Sequence, residues 1–401
     1  MSVGFGGLRF GTDDVEYLRS ESGTAALATV ADLPLTDRTR IADVAAVRAR
    51  FGGRAPILVE TTLLRRRAAV KLGRLGDVSD WLFTDEALQQ ATAAPVALHR
   101  AGRLAKAGSP LVHDATCSIG TEVAALRASG TDTVASDIDP VRLAMARHNL
   151  GPGAALCRAD ALRPVTRDAV VLVDPARRVS GRRRWRPADY QPGLGELLDA
   201  YRGRDLIVKC SPGIDFEYLR RAGFDGEIEV ASYGGSVREA CLWSAGLAEP
   251  GVRRRASVLD VGEQITDAEP AECPTRPVGR WIVDPDGAVV RAGLVRHYGA
   301  RHGLWQLDPD IAYLSGDELP PAVRGFEVLE QLAFDERRLR QALSARDCGA
   351  LEILVRGVRV DPDGLRRRLR LRGGRSLSVI VTRVGSGSAS HATAFVCRPS
   401  R

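Results

Sequence analysis

Four aspartates follow four successive apolar runs in the middle of the sequence. They are Asp114, Asp137, Asp160 and Asp174. An ionised carboxylate accepts hydrogen bonds from two hydroxyl groups, or from an amino group, at the cost of desolvating a single charge. If the apolar runs are parallel strands, their carboxyl ends meet at one edge of a sheet, where open α/β sheets bind ligands. The spacing therefore predicts one ligand site lined by four carboxylates.

The elements that must position these carboxylates form a βαβ pattern. Short apolar runs predict strands over residues 111–115, 133–136, 169–173 and 205–209. Helical stretches alternate with them over residues 122–127, 141–150, 194–201 and 216–221. Two further runs, 227–232 and 237–244, are joined by glycines, which predicts a hairpin and an antiparallel last strand. This alternation is typical of an α/β fold around a mainly parallel sheet.

Different patterns flank this module, which we place at residues 109–248. Residues 1–108 are rich in Ala, Leu and Arg at helical spacing, which predicts a helical domain. Its predicted helices span 24–30, 38–50, 63–72 and 85–104. Residues 249–325 predict a small α+β domain with strand-like pieces at Trp281–Val283 and Ala288–Val290. Residues 326–401 predict strands over 351–355, 376–381 and 392–396 and a basic helix over 362–371.

The segment from Asp114 to Gly120, Asp-Ala-Thr-Cys-Ser-Ile-Gly, reads as a strand end, a tight turn and a helix start. With the acids that follow it, the segment resembles the class I S-adenosylmethionine-dependent methyltransferases, whose Rossmann-like seven-stranded sheet ends in an antiparallel strand. In that family the first loop wraps the methionine part of the cofactor. The later acids, matched here by Asp137 and Asp160, bind the ribose hydroxyls and approach the adenine amino group. The resemblance implies S-adenosylmethionine as cofactor and the following binding residues: Asp114, Ala115, Thr116, Cys117, Ser118, Gly120, Asp137, Ile138, Asp160 and Ala161.

The cofactor loop departs from the family at two positions. Thr116 and Ser118 stand where relatives carry glycine, and only Gly120 is kept. Small hydroxylated residues permit a close backbone approach but tolerate positive φ poorly. The alternative is a nucleotide-binding or unliganded α/β sheet. An NAD site is disfavoured because the GxGxxG pattern is missing.

The fourth strand end carries Asp174-Pro-Ala-Arg177, where amino-methylating relatives have Asn/Asp-Pro-Pro-aromatic. Methyl transfer from a sulfonium is a positioning problem, because it needs only an amine lone pair held in line with the methyl group. The candidate catalytic residues are Asp174, Pro175 and Arg177. The aromatic residue is replaced, which leaves the methylated atom open.

Arginines cluster beside this edge and again near the carboxyl terminus. Six arginines and Trp185 lie between Asp174 and Asp189 with no acid among them. Such a cluster favours phosphate binding with base stacking, although an exposed arginine-rich loop is the alternative. The candidate substrate-binding residues are Arg178, Arg182, Arg183, Arg184, Trp185, Lys209, Arg366, Arg367, Arg368 and Arg370.

From about residue 65 to 399 the order of motifs resembles one bacterial family of methyltransferases. They are Phe83–Thr92, Asp174–Arg178, Lys209–Gly213, Val237–Trp243, Leu307–Tyr313 and Glu352–Gly357. That family has a helical amino-terminal region, a ferredoxin-like insert and a carboxyl-terminal THUMP-like domain. The resemblance implies methylation of a base nitrogen in structured RNA, either tRNA or rRNA. Two alternatives stay open: an RNA-binding protein with a decayed methyltransferase domain, and a small-molecule methyltransferase.

Composition sets the remaining limits. The chain has 401 residues and a net charge of +7, but nine arginines and no acid follow Asp363, so the excess positive charge lies in the tail. No apolar run is long enough to cross a membrane, and no signal peptide is recognisable at the start. The seven cysteines are scattered without a CxxC pair, which favours reduced thiols and no metal site. We therefore expect a cytoplasmic protein.

Overall fold

The computed structural model describes most of the chain: residues 8–109, 111–176, 190–321, 323–385 and 390–400, together with the backbone of 178–179 and 182–183. The chain divides into two compact units. The first comprises Met1–Tyr233 and Arg238–Glu249, and the second comprises Gly234–Val237 and Pro250–Arg401. Within the described ranges, no helix has the length and hydropathy needed to span a membrane.

The first unit begins with a helical region. Its helices are α1 (Thr12–Arg19), α2 (Glu21–Ala31), α3 (Arg40–Phe51), α4 (Ala55–Leu72), α5 (Asp85–Gln90) and α6 (Ala94–Lys106). Sequence signals explain several boundaries: Ser20 caps α2 by accepting a hydrogen bond from the Gly23 amide, and Pro95 stands in the first turn of α6. The single helix predicted over 85–104 is interrupted, because Ala91 and Ala93 are extended.

The rest of the first unit alternates strands and helices. The elements are β1 (Leu111–Asp114), α7 (Thr121–Ala128), β2 (Asp132–Asp137), α8 (Pro140–Leu150), β3 (Ala155–Arg158), β4 (Val170–Val173), β5 (Arg178–Val179), β6 (Arg182–Arg183), α9 (Leu194–Ala200), β7 (Leu206–Cys210), α10 (Phe216–Arg221), β8 (Gly226–Ser232) and β9 (Val237–Ser244). Seven strands lie side by side in the order β3-β2-β1-β4-β7-β9-β8. The first five are parallel, and β9 runs antiparallel to β7, as the glycine-linked hairpin predicts. The α/β prediction is confirmed.

The central strands β4 and β7 of this sheet are buried along their whole length. Val112, Leu172 and Ile207 of β1, β4 and β7 pack with α6 and α7 in one apolar cluster. The helical region forms a second cluster, which also receives Ile119 from the loop after β1 and Met145 from α8. Packing of Ile119 into this cluster therefore holds the loop after β1 in place, as a preformed binding site requires.

The second unit contains the remaining elements. They are β10 (Arg254–Val258), β11 (Glu263–Thr266), β12 (Trp281–Val283), α11 (Gly287–Ala292), α12 (Val295–Arg301), β13 (Trp305–Asp308), β14 (Ile311–Gly316), β15 (Gly325–Ala333), α13 (Glu336–Ser344), β16 (Cys348–Arg356), α14 (Pro362–Leu369), β17 (Arg375–Val384) and β18 (His391–Pro399). Seven of its strands form a mixed sheet in the order β13-β14-β12-β15-β18-β17-β16. Strands from both sides of residue 325 share this sheet, because β12 pairs with β15.

One prediction in this unit is wrong. Residues 288–290 were expected to form a strand because two adjacent valines favour β structure, but they lie in α11. Asp286 caps this helix by accepting a hydrogen bond from the Ala288 amide, and Gly293 ends it with φ of 72°. The two caps outweigh the weak β preference of Val289 and Val290.

Candidate active site

The four predicted aspartates converge on one cavity. Asp114, Asp137, Asp160 and Asp174 all line a space of about 760 Å³ at the carboxyl ends of β1 to β4. This volume lies within the range of small-molecule and cofactor sites. The other predicted cofactor residues that line the cavity are Ala115, Thr116, Cys117, Ser118, Ile138 and Ala161. Of the predicted set only Gly120 does not reach the cavity wall.

The backbone conformation and the packing at position 120 require glycine, although Gly120 does not line the cavity. It precedes α7 with φ of 91°, and a Cβ at this position would lie 2.8 Å from Leu150 Cδ1. Ser118 also has positive φ, at 49°, which costs an L-residue about 1 to 2 kcal/mol. The loop therefore keeps the backbone path that glycines usually permit, with a serine held in a strained conformation.

The Asp137 carboxylate is oriented by two backbone amides. Its Oδ2 accepts a hydrogen bond from the Ser118 amide at 2.8 Å, and its Oδ1 accepts one from the Asp139 amide at 2.8 Å. Each carboxylate oxygen retains a second acceptor position. Beside it, the Ile138 side chain is 62% exposed although it is apolar, and it lines the same cavity.

Asp114 is buried with one oxygen lacking a partner. Its Oδ1 accepts a hydrogen bond from the Thr116 amide at 3.2 Å, whereas Oδ2 has no hydrogen-bond partner among the described residues. Burial first, and then the neighbouring Glu122 carboxylate, raise the pKa of Asp114 to about 8. At neutral pH this side chain therefore holds a proton while it lines the cavity.

Asp174 is joined to the cofactor loop and to a buried lysine. Its backbone amide donates a hydrogen bond to Thr116 Oγ1 at 2.7 Å, so Thr116 connects the loop after β1 to the end of β4. The Lys209 Nζ donates to Asp174 Oδ2 at 2.6 Å. No partner for Oδ1 is found in the part of the chain that the structure describes. One oxygen is thus anchored and the other is available to a ligand.

Lys209 belongs to a buried charge network that sequence reasoning did not find. Its Nζ also donates to Glu122 Oε1 at 3.0 Å and to Thr92 Oγ1. Arg100 bridges Glu122 and Glu239 from the other side. Lys209 was predicted as a rim residue for substrate, but it is only 3% exposed. The signal was present in the sequence, because Lys209 is one of three lysines and interrupts the apolar run Leu-Ile-Val-Lys-Cys.

The charges of this network stabilise one another. Burial alone would lower the pKa of Lys209, but Asp174 and Glu122 outweigh burial and raise that pKa above its ordinary value. Burial would raise the pKa of Glu122, but Arg100 and Lys209 hold it well below its usual range. The charged forms of Lys209 and Glu122 therefore persist across the neutral pH range.

Residues outside the predicted set complete the wall. The segment Gln89–Ala93, at the end of α5 and in the connection to α6, lines the cavity together with Lys71, Arg142 and Arg238. The Lys71 Nζ donates to the carbonyls of Leu88 and Gln89 at 2.7 and 2.9 Å, which fixes the end of α5 beside the cavity.

Several predicted residues cannot be placed at the site. Arg177, Arg184 and Trp185 lie outside the described residues. Arg178, Arg182 and Arg183 are described by their backbone alone, in which β5 and β6 pair antiparallel. Pro175 lines the cavity, and Ala176 forms a bridge with Gln191.

Cys117 lines the cavity as a protonated thiol. Burial first, and then Asp114 and Asp137, raise its pKa well above the ordinary value, so the thiolate required of a nucleophile is disfavoured. Among the described residues, no group of three or more His, Cys, Asp or Glu side chains could hold a metal ion.

The predicted arginines of the second unit lie on α14 or just after it. All four are exposed, and three of them pair with acids that precede the acid-free tail. Arg366 pairs with Asp363 and Arg368 with Glu336, at 2.5 and 2.7 Å, and Arg367 lies 4.0 Å from Asp361. Arg370 ends α14 with φ of 49° and has no ion-pair partner among the described residues.

Comparison with known proteins identifies the class of this site. Two curated proteins from two strains of Mycobacterium tuberculosis, both named uncharacterized S-adenosylmethionine-dependent methyltransferase, are 76% identical to the chain over 361 residues. The match covers 88% of this chain and 100% of each relative. The chain therefore belongs to this family of S-adenosylmethionine-dependent methyltransferases. The expected cofactor and the expected enzyme class are confirmed.

The carboxyl-terminal and amino-terminal regions match two domain families. Residues 323–399, from just before β15 through β18, match the THUMP domain-like family, as the sequence resemblance implied. Residues 11–68 match a domain of unknown function, DUF8688. A crystal structure of a proposed methyltransferase from Porphyromonas gingivalis covers 98% of this chain and all of its own, with a TM-score of 0.72 at 19% identity. At that identity the likeness concerns the fold.

Proposed function

We propose that the protein transfers a methyl group from S-adenosylmethionine to a base nitrogen of structured RNA, either tRNA or rRNA. The observation that carries the proposal is Asp174, which has one carboxylate oxygen anchored by Lys209 and the other available, beside Pro175 in the cavity of the three other aspartates. The THUMP-like match supports RNA as the substrate class. The order of the seven strands from β3 to β8, in which β9 runs antiparallel to β7, supports the Rossmann-like class I fold.

The cavity fits the cofactor in chemistry as well as volume. Asp137 keeps one acceptor position on each oxygen, which suits the two hydroxyls of a ribose. Ile138 offers exposed apolar surface to an adenine ring, and Asp160 lies farther along the same wall. The unpartnered Oδ2 of Asp114 is a buried polar atom that the ammonium group of a methionine moiety would satisfy, and the positive charge of that group would favour the ionised form of Asp114.

The residues of the chain would then act by positioning. When bound, S-adenosylmethionine supplies a methyl group on a positively charged sulfur. Asp174 Oδ1 accepts a hydrogen bond from the acceptor N–H and so directs the nitrogen lone pair. As the nitrogen gains the methyl group it loses a proton, for which Asp174 Oδ1 is the proposed acceptor. Lys209 holds Oδ2 throughout, and Pro175 restricts the backbone that carries Asp174.

Contacts with RNA are proposed on both units. The arginines predicted at 177–186 and the exposed arginines of α14 would bind phosphates. The ion pairs of α14 do not oppose this role, because exposed pairs exchange readily for a phosphate partner. The division into domains at residues 108, 248 and 325 stays a prediction.

The proposal is tested by nucleoside mass spectrometry of tRNA and rRNA from cells with and without this protein. We expect one methylated nucleoside to disappear in its absence. Purified protein with tritiated S-adenosylmethionine should restore the label to RNA from the deficient cells. Label that enters extracted small molecules and leaves RNA unlabelled would replace RNA by a small-molecule substrate.

A further inference from the structure

Three cations and a tyrosine of the first unit form what we call the cavity-mouth cluster: Lys71, Arg74, Arg238 and Tyr233. Lys71 lies in the last turn of α4, and Arg74 follows in the turn after that helix. Arg238 lies at the start of β9 and donates from Nε to the Tyr233 carbonyl at 2.6 Å. Lys71 and Arg238 both line the active-site cavity, and Arg74 and Arg238 are exposed, so the cluster lies between the cavity and solvent.

The electrostatic environment of Lys71 is positive. Burial lowers its pKa first, and further lowering comes from the charges of Lys209, Arg67 and Arg238, to about 8. The two described acceptors of its Nζ are neutral carbonyls, so one of its three protons is left for another partner. No carboxylate of the described chain lies within ion-pair distance of Lys71, Arg74 or Arg238.

This distinguishes the cluster from the other cations around it. Arg67, one turn earlier on α4, pairs with Asp85 at 2.6 Å, and Arg142, which also lines the cavity, pairs with Glu86 at 3.0 Å. Cations that converge without carboxylates repel one another, and an anion bound among them relieves that repulsion. The cluster is thus suited to a ligand that carries negative charge.

The ring of Tyr233 indicates which class of negatively charged ligand the cluster suits. The Arg74 guanidinium lies 5.8 Å from the centroid of the Tyr233 ring, and both side chains reach solvent. Grooves that bind single-stranded nucleic acid combine cations for the backbone with aromatic faces for the bases. A lone phosphate or a carboxylate has no ring that could stack on the aromatic face.

We propose that the cavity-mouth cluster binds the phosphodiester backbone of RNA next to the nucleotide that enters the cavity. The inference rests on the proposed RNA substrate and adds a contact surface in the first unit. Arg74 and Arg238 each take a phosphate, Tyr233 stacks on a neighbouring base, and Lys71 supplies positive charge from the cavity wall.

The test compares two double variants of the full-length protein that remove the same amount of charge. Arg74→Ala with Arg238→Ala removes the exposed cations of the cluster. Arg220→Ala with Arg221→Ala removes two exposed arginines of α10 that do not line the cavity. Binding of fluorescent unfractionated bacterial tRNA is measured by anisotropy at several NaCl concentrations, and S-adenosylmethionine binding is measured by calorimetry.

We expect the cluster variant to bind tRNA about tenfold more weakly at 0.1 M salt. The slope of log Kd against log[NaCl] should fall by about 2, roughly one unit for each phosphate that the variant no longer neutralises. The α10 variant should bind tRNA and cofactor like the wild type. Equal tRNA binding by both variants overturns the inference.

Two other results separate this inference from the proposed function. If the cluster variant loses cofactor affinity and keeps tRNA affinity, the cluster serves the carboxylate of the cofactor and the inference is wrong. If the wild type itself shows no salt-dependent affinity for tRNA or for rRNA measured in the same way, the RNA substrate fails and the inference fails with it.

Discussion

Two regions of this methyltransferase, the cavity of the first unit and helix α14 of the second, use charged side chains in opposite ways. Beside the cavity, Lys209 and Glu122 form an ion pair whose side chains are only 4% and 9% exposed. On the second unit, Arg368 and Glu336 pair at 2.7 Å with side chains 52% and 43% exposed. The distances are similar, but the surroundings differ. Breaking a buried pair leaves a charge without water, whereas an exposed partner is simply hydrated.

This difference separates positioning from adaptable binding. A buried network holds Asp174 in one orientation because every alternative arrangement leaves a buried charge without a partner. Exposed pairs on α14 cost little to open, so their arginines can turn to another anion. The first arrangement suits a reaction that depends on geometry, and the second suits contact with a varied phosphate backbone.

The largest effect is expected when the buried network loses its central acid. Glu122→Gln leaves Arg100 and Lys209 with less negative charge around them, so the free energy of unfolding should fall by about 3 to 5 kcal/mol. Urea unfolding of the full-length protein measures this as a lower midpoint. Glu336→Gln, which opens the exposed pair, is the matched control and should leave the midpoint unchanged. Similar losses in both variants would remove the distinction between the two units.

Sequence reasoning could find the acids of the cavity but not this network. The carboxyl ends of strands are recognisable because apolar runs end there, and the four aspartates were placed on that basis. The partners Arg100, Glu122 and Lys209 come from α6, α7 and β7, so their meeting depends on how the elements pack. A charged residue inside an apolar run was the available signal, but it does not name its partner.

The charge of the carboxyl-terminal segment could likewise be counted from the sequence, but its ion-pair partners could not be predicted. Counting residues places nine arginines after Asp363 with no acid among them. In the fold, Arg368 pairs with Glu336 and Arg398 with Glu327, both of which precede that segment. Linear counting describes the segment correctly but overstates its local field, because strand and helix packing brings acids from upstream.

The next largest effect concerns the anchored carboxylate. Asp174→Asn keeps the shape but removes the acceptor charge, so kcat for RNA methylation should fall by about 100-fold to 1000-fold. Single-turnover transfer of tritiated methyl measures this, and calorimetry should show unchanged cofactor affinity. An Asp174→Asn variant with wild-type turnover would remove Asp174 from the proposed chemistry.

Variants of Lys209 in the same methyl-transfer assay distinguish the orientation of the Asp174 carboxylate from the stability of the fold. Lys209→Met frees Asp174 Oδ2 and should lower kcat more than it raises KM for RNA. Lys209→Arg keeps the charge and should recover part of the loss. If the arginine variant recovers stability without recovering kcat, Lys209 serves the fold rather than the orientation of Asp174.

A pH-dependent effect on stability is expected at Asp114. Its pKa is raised from 3.8 to about 8, so between these values the folded chain holds a proton that the unfolded chain releases. This group therefore lowers stability as pH rises through that window, by up to about 1.4 kcal/mol per pH unit. Asp114→Asn carries no titrating proton, and its stability relative to wild type should rise from pH 5 to pH 8 in urea unfolding. Parallel stability profiles would show that Asp114 is ionised in the folded state.

The smallest effect concerns the strained serine of the cofactor loop. Ser118 has φ of 49°, and its amide donates to Asp137 Oδ2. Ser118→Gly removes the steric cost of this conformation and keeps the amide, so it should stabilise the protein by about 1 kcal/mol or less, since glycine adds disorder to the unfolded chain. Thr116→Gly is the matched comparison at the other replaced glycine position. It should destabilise, because it deletes the hydroxyl that accepts from the Asp174 amide. Opposite signs for the two variants would show that the serine is tolerated in this loop, whereas the threonine is required to connect it to the catalytic edge.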